Sequence, residues 1–187
     1  MNHKDNRFAL RDLTRGDHER LDALVGDFTD VESYRRYLEG MAAFRGGVER
    51  ELSNIDYPDM FGAWRPAMIH DELAMDLADL DRHPPPLQPF NLPVDLDGLL
   101  GVLYVLEGSA LGARLLVRRA AAIGFTGGYG ARHLAAQTAD PQAWNRFVAL
   151  LDAIAPQGLE KAACGARTTF AAAIEAFDGM RPLERTG

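Results

Sequence analysis

The chain has one cysteine, Cys164, among its 187 residues. No disulfide can form within it, and a reducing setting, the cytoplasm, is the expectation. It has no excess of positive charge either: 20 lysines and arginines stand against 27 aspartates and glutamates, a formal charge of -7. That excludes a broad electrostatic footprint for nucleic acid or anionic lipid, so an anionic ligand has to be met by a local group of arginines. The opening MNHKDNRFAL holds no apolar signal core, and no later stretch reaches the roughly 18 uncharged apolar residues of a membrane span; no membrane association is expected. There is no alternating strand pattern, no internal repeat and no flavin or nucleotide fingerprint. No Glu-x-x-His pair occurs, which argues against a carboxylate-bridged di-iron bundle.

What the chain does have is helical periodicity nearly from end to end, in a length that suits one domain over residues 1–187. Leu10, Leu13, Leu21, Leu24 and Val25 recur at helical spacing and predict a first helix from Arg7 to about Phe28. Thr29-Asp30-Val31-Glu32 resembles a capping box before a second helix through Tyr34, Leu38, Met41, Val48 and Leu52, with Gly46-Gly47 a weak point. Pro66 opens a third helix that His83-Pro84-Pro85-Pro86 ends, and an extended connection follows. A long helix is expected over Leu96 to Ile123, broken by FTGGYG at Phe125 to Gly130. Asp140-Pro141 starts a fifth, and Leu159 to Phe177 supplies the last. The fold class is all-α, a multi-helical bundle.

At 100° per residue the apolar positions of the first helix fill an arc about 120° wide, and His18, Arg11, Asp22 and Arg15 follow within a further ~80°. Four polar groups therefore share one flank. Asp22 lies one turn beyond His18, where its carboxylate can take the Nδ1 proton and leave Nε2 free to bind a metal. Arg11 and Arg15 can meet the carboxylates of a ligand. The same spacing also suits an ordinary solvated helix surface.

The long helix raises a second question. In VLEGSALGARLL, Val105 to Leu116, two glycines four apart sit in an apolar run, each costing roughly 1 kcal/mol of helix stability relative to alanine. Gly101, Gly108 and Gly112 project within an arc of about 40°, a smooth strip along one side. Such a strip admits a neighbouring helix or a flat ligand. Ser109 places a hydroxyl beside it, and a planar cofactor held between His18 and the strip accounts for both features.

These residues resemble the haem oxygenases, and among them the bacterial biliverdin-producing branch associated with bacteriophytochromes. LRDLTRGDHERLD at Leu10 to Asp22 is similar to the family's proximal-helix signature, and YVLEGSALGARLL at Tyr104 to Leu116 to its distal helix. FTGGYG, then WNRFVALLD, then ARTTFAAAIEAFD follow in the family's order. The resemblance implies a haem-oxygenase-like bundle, with haem as both cofactor and substrate and His18 as axial iron ligand. It implies Asp22 behind that ligand, Arg11 and Arg15 toward the propionates, and Gly108, Ser109 and Gly112 on the oxygen side. The reaction implied is cleavage of haem to biliverdin, carbon monoxide and ferrous iron by O2 and external electrons, from a ferredoxin or a reductase, with a bacterial phytochrome as a partner for the product. The chain departs from the pattern twice. Ser109 stands where many members carry an aspartate, and Ala113 where a second glycine is expected; in a straight helix Ala113 projects away from the strip, and a kink would bring its methyl group onto the cofactor. A haem carrier or sensor, or a non-catalytic paralogue, is the alternative reading.

The other histidines, His3, His70, His83 and His133, have no partner at ligand spacing. Cys164 is the one candidate for the nucleophile of a thiaminase-like enzyme on a related bundle. Trp64 and Trp144 read as core or pocket wall.

Overall fold

The structure is a computed structural model that describes residues 6–180; His3 lies outside them. Among the described residues there are eight α-helices and no strand: α1 Asn6–Leu13, α2 Arg15–Val25, α3 Val31–Leu52, α4 His70–Asp79, α5 Leu96–Ala122, α6 Arg132–Thr138, α7 Ala143–Leu151 and α8 Leu159–Asp178. The helices α2, α3 and α5 all pack on α8. One apolar core gathers Leu10, Phe44, Leu103 and Phe147. A second, around Tyr34, Leu38, Leu73 and Leu134, lies between α3, α4, α5 and α6.

The predicted first helix is two. Thr14 interrupts it with φ -115° and ψ 9°, and its hydroxyl turns back to donate to Leu10 O at 2.7 Å. That competing local bond is why threonine weakens a helix interior. The second helix starts as expected: Asp30 accepts from Ser33 N at 2.7 Å, and Ser33 completes the capping box. Gly46-Gly47 does not weaken it, because α3 runs unbroken through both. A Cβ on Gly47 would stand 1.9 Å from Gln88 O, so the glycines let the proline-rich connection lie directly on α3.

The third helix begins at His70 and not at Pro66. Its first amides are capped from another helix, since Glu49 of α3 accepts from Ile69 N at 2.9 Å and His70 N at 2.9 Å. Glu49 also takes Arg45 Nε at 2.6 Å, and both side chains are almost wholly buried. This long-range cap has no local signal. Neither has α6, a short helix after the FTGGYG turn, whose Gly124 and Gly130 hold φ of +94° and +74°. The long helix α5 is apolar enough, by length and composition, to cross a membrane; in the fold it is the central helix, packed by α6, α7 and α8.

A buried polar relay ties α6 in place. Asp76 and His133 are fully buried, with His133 Nδ1 2.7 Å from Asp76 Oδ2 and Nε2 3.2 Å from Tyr37 Oη. Asp76 also accepts from Arg132 N and His133 N. Burial opposes the Asp76 charge, but the hydrogen bonds from His133 and Arg132 outweigh it and hold its carboxyl below the usual range. Burial lowers His133, against the pull of Asp76, and keeps it neutral. Burial also holds Tyr37 in its protonated form, so Tyr37 donates to Nε2 and Nδ1–H donates to Asp76. His133 thus has two hydrogen-bond partners, both from other helices and neither at ligand spacing in the sequence.

Because folding lowers the His133 pKa, the unfolded chain takes up more protons, and stability falls as pH drops below about 6.5. Denaturant unfolding at pH 8, 6.5 and 5 should show this loss, and His133→Asn should remove the part that begins near 6.5. An identical pH profile in the variant would detach the loss from His133.

Candidate functional site

The flank read on the first helix is carried mainly by α2, none of whose residues is fully buried. His18 Nδ1 lies 3.0 Å from Asp22 Oδ2, and the two side chains are 61% and 68% exposed. With its proton directed to Asp22, Nδ1 leaves the Nε2 lone pair free. The exposed ring still makes a T-shaped contact with Phe170 of α8, with centroids 5.9 Å apart and planes at 71°. Phe170 in turn packs with Ala166 and with Val105 of α5, and Leu21 of α2 leans on the same cluster.

Two contacts join α5 to residues on either side of α2. At one end the Tyr104 phenol faces Arg11 and the Thr14 hydroxyl; burial pushes its pKa up, and Arg11 and Thr14 pull it back. At the other end Arg119 pairs with Asp27 at 2.5 Å. His18 and Asp22 lie on α2 and Gly108 and Gly112 on α5, and both helices reach the cluster of Phe170, Ala166, Val105 and Leu21.

The glycine strip divides in two. A Cβ on Gly101 would stand 1.9 Å from Ala162 O, and one on Gly165 2.1 Å from Gly98 O. This half is a helix crossing, as an ordinary packing motif would be. Gly112 is different, with nothing within 4 Å of its missing Cβ, and Gly108 would meet only the Trp144 ring, at 3.9 Å. No helix fills the space over these two, and Leu111 and Leu115 beside them are 45% and 52% exposed. Helix packing explains Gly101 and leaves Gly108 and Gly112 unexplained.

The remaining expected residues fall as follows. Arg11 and Arg15 are exposed and both lean on Asp12, at 3.8 and 2.5 Å. Ser109 turns toward α6, donating to Leu106 O at 2.6 Å and accepting from Gln137 Nε2 at 3.2 Å. Ala113 is 1% exposed within the second core, on the side of α5 away from the strip, so its methyl group packs the interior and does not press into the slot. The long helix has no break at that position. Cys164 is exposed on α8, and Trp144 walls the slot with Tyr104, centroids 6.1 Å apart. Tyr104, Phe170, Gln137 and Arg119 were not picked out by sequence. Only Tyr104 carried a signal, one turn before Gly108; the others come from distant helices or pair with a distant residue.

No family model matches the chain. It is similar to heme oxygenase PigA of Pseudomonas aeruginosa, 34% identical over 149 residues that make up 76% of this chain and 75% of that protein. It is also similar to a solved heme oxygenase from Neisseria meningitidis, crystallised with NO and CO bound. There the TM-score is 0.78 at 26% identity, covering 97% of this chain and 94% of that one.

The divided strip sets a contrast for thermal or denaturant unfolding of the ligand-free protein. Gly101→Ala should cost about 3 kcal/mol or more, since a methyl group there meets backbone that cannot yield. Gly112→Ala should be neutral or stabilising by up to about 1 kcal/mol, the helix propensity gained in open space. Ala113→Gly should lose at least about 1 kcal/mol. Equal costs for Gly101→Ala and Gly112→Ala would mean that the strip has one role throughout.

Proposed function

The chain belongs to the haem oxygenase family, and on that premise we propose that it cleaves haem to biliverdin, carbon monoxide and ferrous iron, using O2 and electrons from outside, as one domain. The reading is supported by two observations: an exposed imidazole on α2 whose Nδ1 is held by Asp22, and a turn of α5 whose Gly108 and Gly112 have open space where side chains would stand. The donor set fits haem. His18 stands as a lone imidazole, and among the described residues no three metal-ligating side chains gather; a single histidine would suffice to hold a haem iron, whose remaining ligands come with the macrocycle. When bound, the haem supplies both the iron and the macrocycle on which the oxidation takes place.

Each residue then has a task. His18 Nε2 ligates the iron, and Asp22 fixes the tautomer and raises the basicity of the ring through Nδ1. Phe170 stops the ring from rotating through its T-shaped contact. Gly108 and Gly112 would let helix backbone, free of side chains, approach the bound haem and leave room there for a small molecule. Arg11 and Arg15, at the open end, meet the propionates; Asp12 holds them there beforehand and lowers their net charge. Leu111 and Leu115 cover apolar parts of the macrocycle that would otherwise face water.

The electrons come from a ferredoxin or a reductase. Supporting this, the chain from Gly108 to Ala139 carries no aspartate or glutamate but does carry Arg114, Arg118, Arg119 and Arg132; Arg114 and Arg118 are exposed on α5 beside the slot and suit an acidic redox protein. The lone exposed thiol suits a reducing cytoplasm. The likeness of YVLEGSALGARLL to the phytochrome-associated branch supports a bacterial phytochrome as recipient of the biliverdin.

Titration of the purified protein with hemin tests the assignment. A saturable Soret shift is expected, lost or replaced by a different ligation spectrum in His18→Ala, and weakened about 10- to 100-fold in affinity by Asp22→Ala. Under air with ascorbate or a ferredoxin system, the parent should yield biliverdin. A shift indifferent to His18→Ala would remove the iron-ligand assignment, and a stable oxygenated spectrum with no bile pigment would point to a carrier or sensor.

A further inference from the structure

The polar group beside the open wall is expected from sequence to be Ser109, but its hydrogen bonds leave it little to offer. A serine hydroxyl has one hydrogen and two lone pairs. The hydrogen goes to Leu106 O at 2.6 Å, one turn back in the same helix, and one lone pair receives Gln137 Nε2 at 3.2 Å. Ser109 therefore has no proton left to donate. The carboxamide that grips it has two N–H groups and a carbonyl oxygen, and one of those N–H groups is taken by Ser109. Gln137 is 7% exposed, and the residue it grips lies directly after Gly108 and three before Gly112, on the flank of that turn of α5 that faces α6.

Gln137 is also rigidly placed. It stands one turn after His133 on α6, and His133 is locked by Asp76 and Tyr37 in the fully buried relay. Arg132, at the start of the helix, is held by Asp76 and Asp79. A donor that must orient a small molecule has to be fixed by its surroundings before that molecule arrives, and α6 meets that demand better than an isolated surface side chain would.

We propose that Gln137 is the polar positioning residue of the open wall: its carboxamide orders water beside Gly108 and Gly112, and Ser109 is the clamp that orients the carboxamide. The proposal rests on the haem oxygenase reading of the slot. It assigns the hydrogen-bonding role on the oxygen side to a residue of α6 that no motif on α5 contains.

Gln137→Met keeps the length and packing of the side chain and removes its hydrogen bonds, and Ser109→Ala removes the clamp. Both are loaded with hemin, reduced under carbon monoxide, and compared with the parent in H2O and D2O by infrared spectroscopy of the C–O stretch; ascorbate-driven turnover is measured alongside. Gln137→Met should move the stretch to higher frequency, abolish its solvent-isotope sensitivity and slow turnover roughly tenfold or more, with hemin affinity held within about twofold. Ser109→Ala should give smaller changes of the same sign. An unchanged stretch and rate in Gln137→Met, or a larger effect from Ser109→Ala, would overturn the proposal. A parent protein that forms no saturable hemin complex would overturn the underlying reading instead, before any variant is compared.

Discussion

Helices α5 and α8 cross so closely that a single added methyl group would collide with the opposing backbone: Gly101 meets Ala162 O, and Gly165 meets Gly98 O. Among the described residues only Gly47, against Gln88 O, approaches another main chain as closely. Held at this distance, α8 packs Phe170 and Ala166 on Val105 of α5, and Phe170 then makes its T-shaped contact with His18. A wider crossing would draw Phe170 and Ala166 away from Val105. The same helix that is drawn tight against its neighbour at Gly101 is left uncovered two turns later at Gly108 and Gly112, so one structural device serves packing at one end and ligand access at the other.

The second constraint is electrostatic. Charges buried in the interior are favourable only when their hydrogen bonds are complete. Here Arg45, Glu49 and the amides that open α4 form one such group, while Asp76, His133 and Tyr37 form another. Together they fasten α3, α4 and α6 around the apolar cores. Glu107, the residue before Gly108, is buried as well, and burial pushes its carboxyl up against the opposing influence of Arg45. The wall of the slot is thus the outer face of a helix whose inner face is committed to a polar interior, which limits how far α5 can shift when a ligand enters.

Much of this was legible beforehand, and the gaps have a common cause. The apolar periodicity located the long helices, and the four-residue spacing of His18 and Asp22 placed a carboxylate on the imidazole, because i and i+4 lie on one helix face whatever the surroundings. The glycine strip was visible as a regularity, yet its division was not: Gly101 and Gly112 are alike in sequence and differ only in what stands opposite. For Ala113 helix geometry already pointed the methyl group away from the strip, and the unbroken helix then puts it in the core. The cap on α4, the partners of His133, the grip of Gln137 on Ser109 and the Asp27–Arg119 pair all join residues from separate elements, and no local pattern encodes them.

The sequence by itself determined the helices and the chemistry along each face, because backbone geometry fixes how side chains three and four apart line up. Its resemblance to a known family added the expected cofactor. The tertiary structure alone decided which glycines are crossed and which stay open, which histidine is buried neutral and which is exposed with a free nitrogen, and which side chain can donate beside the open wall. Those properties depend on burial and on partners supplied by other helices, and both come into being only when the helices meet.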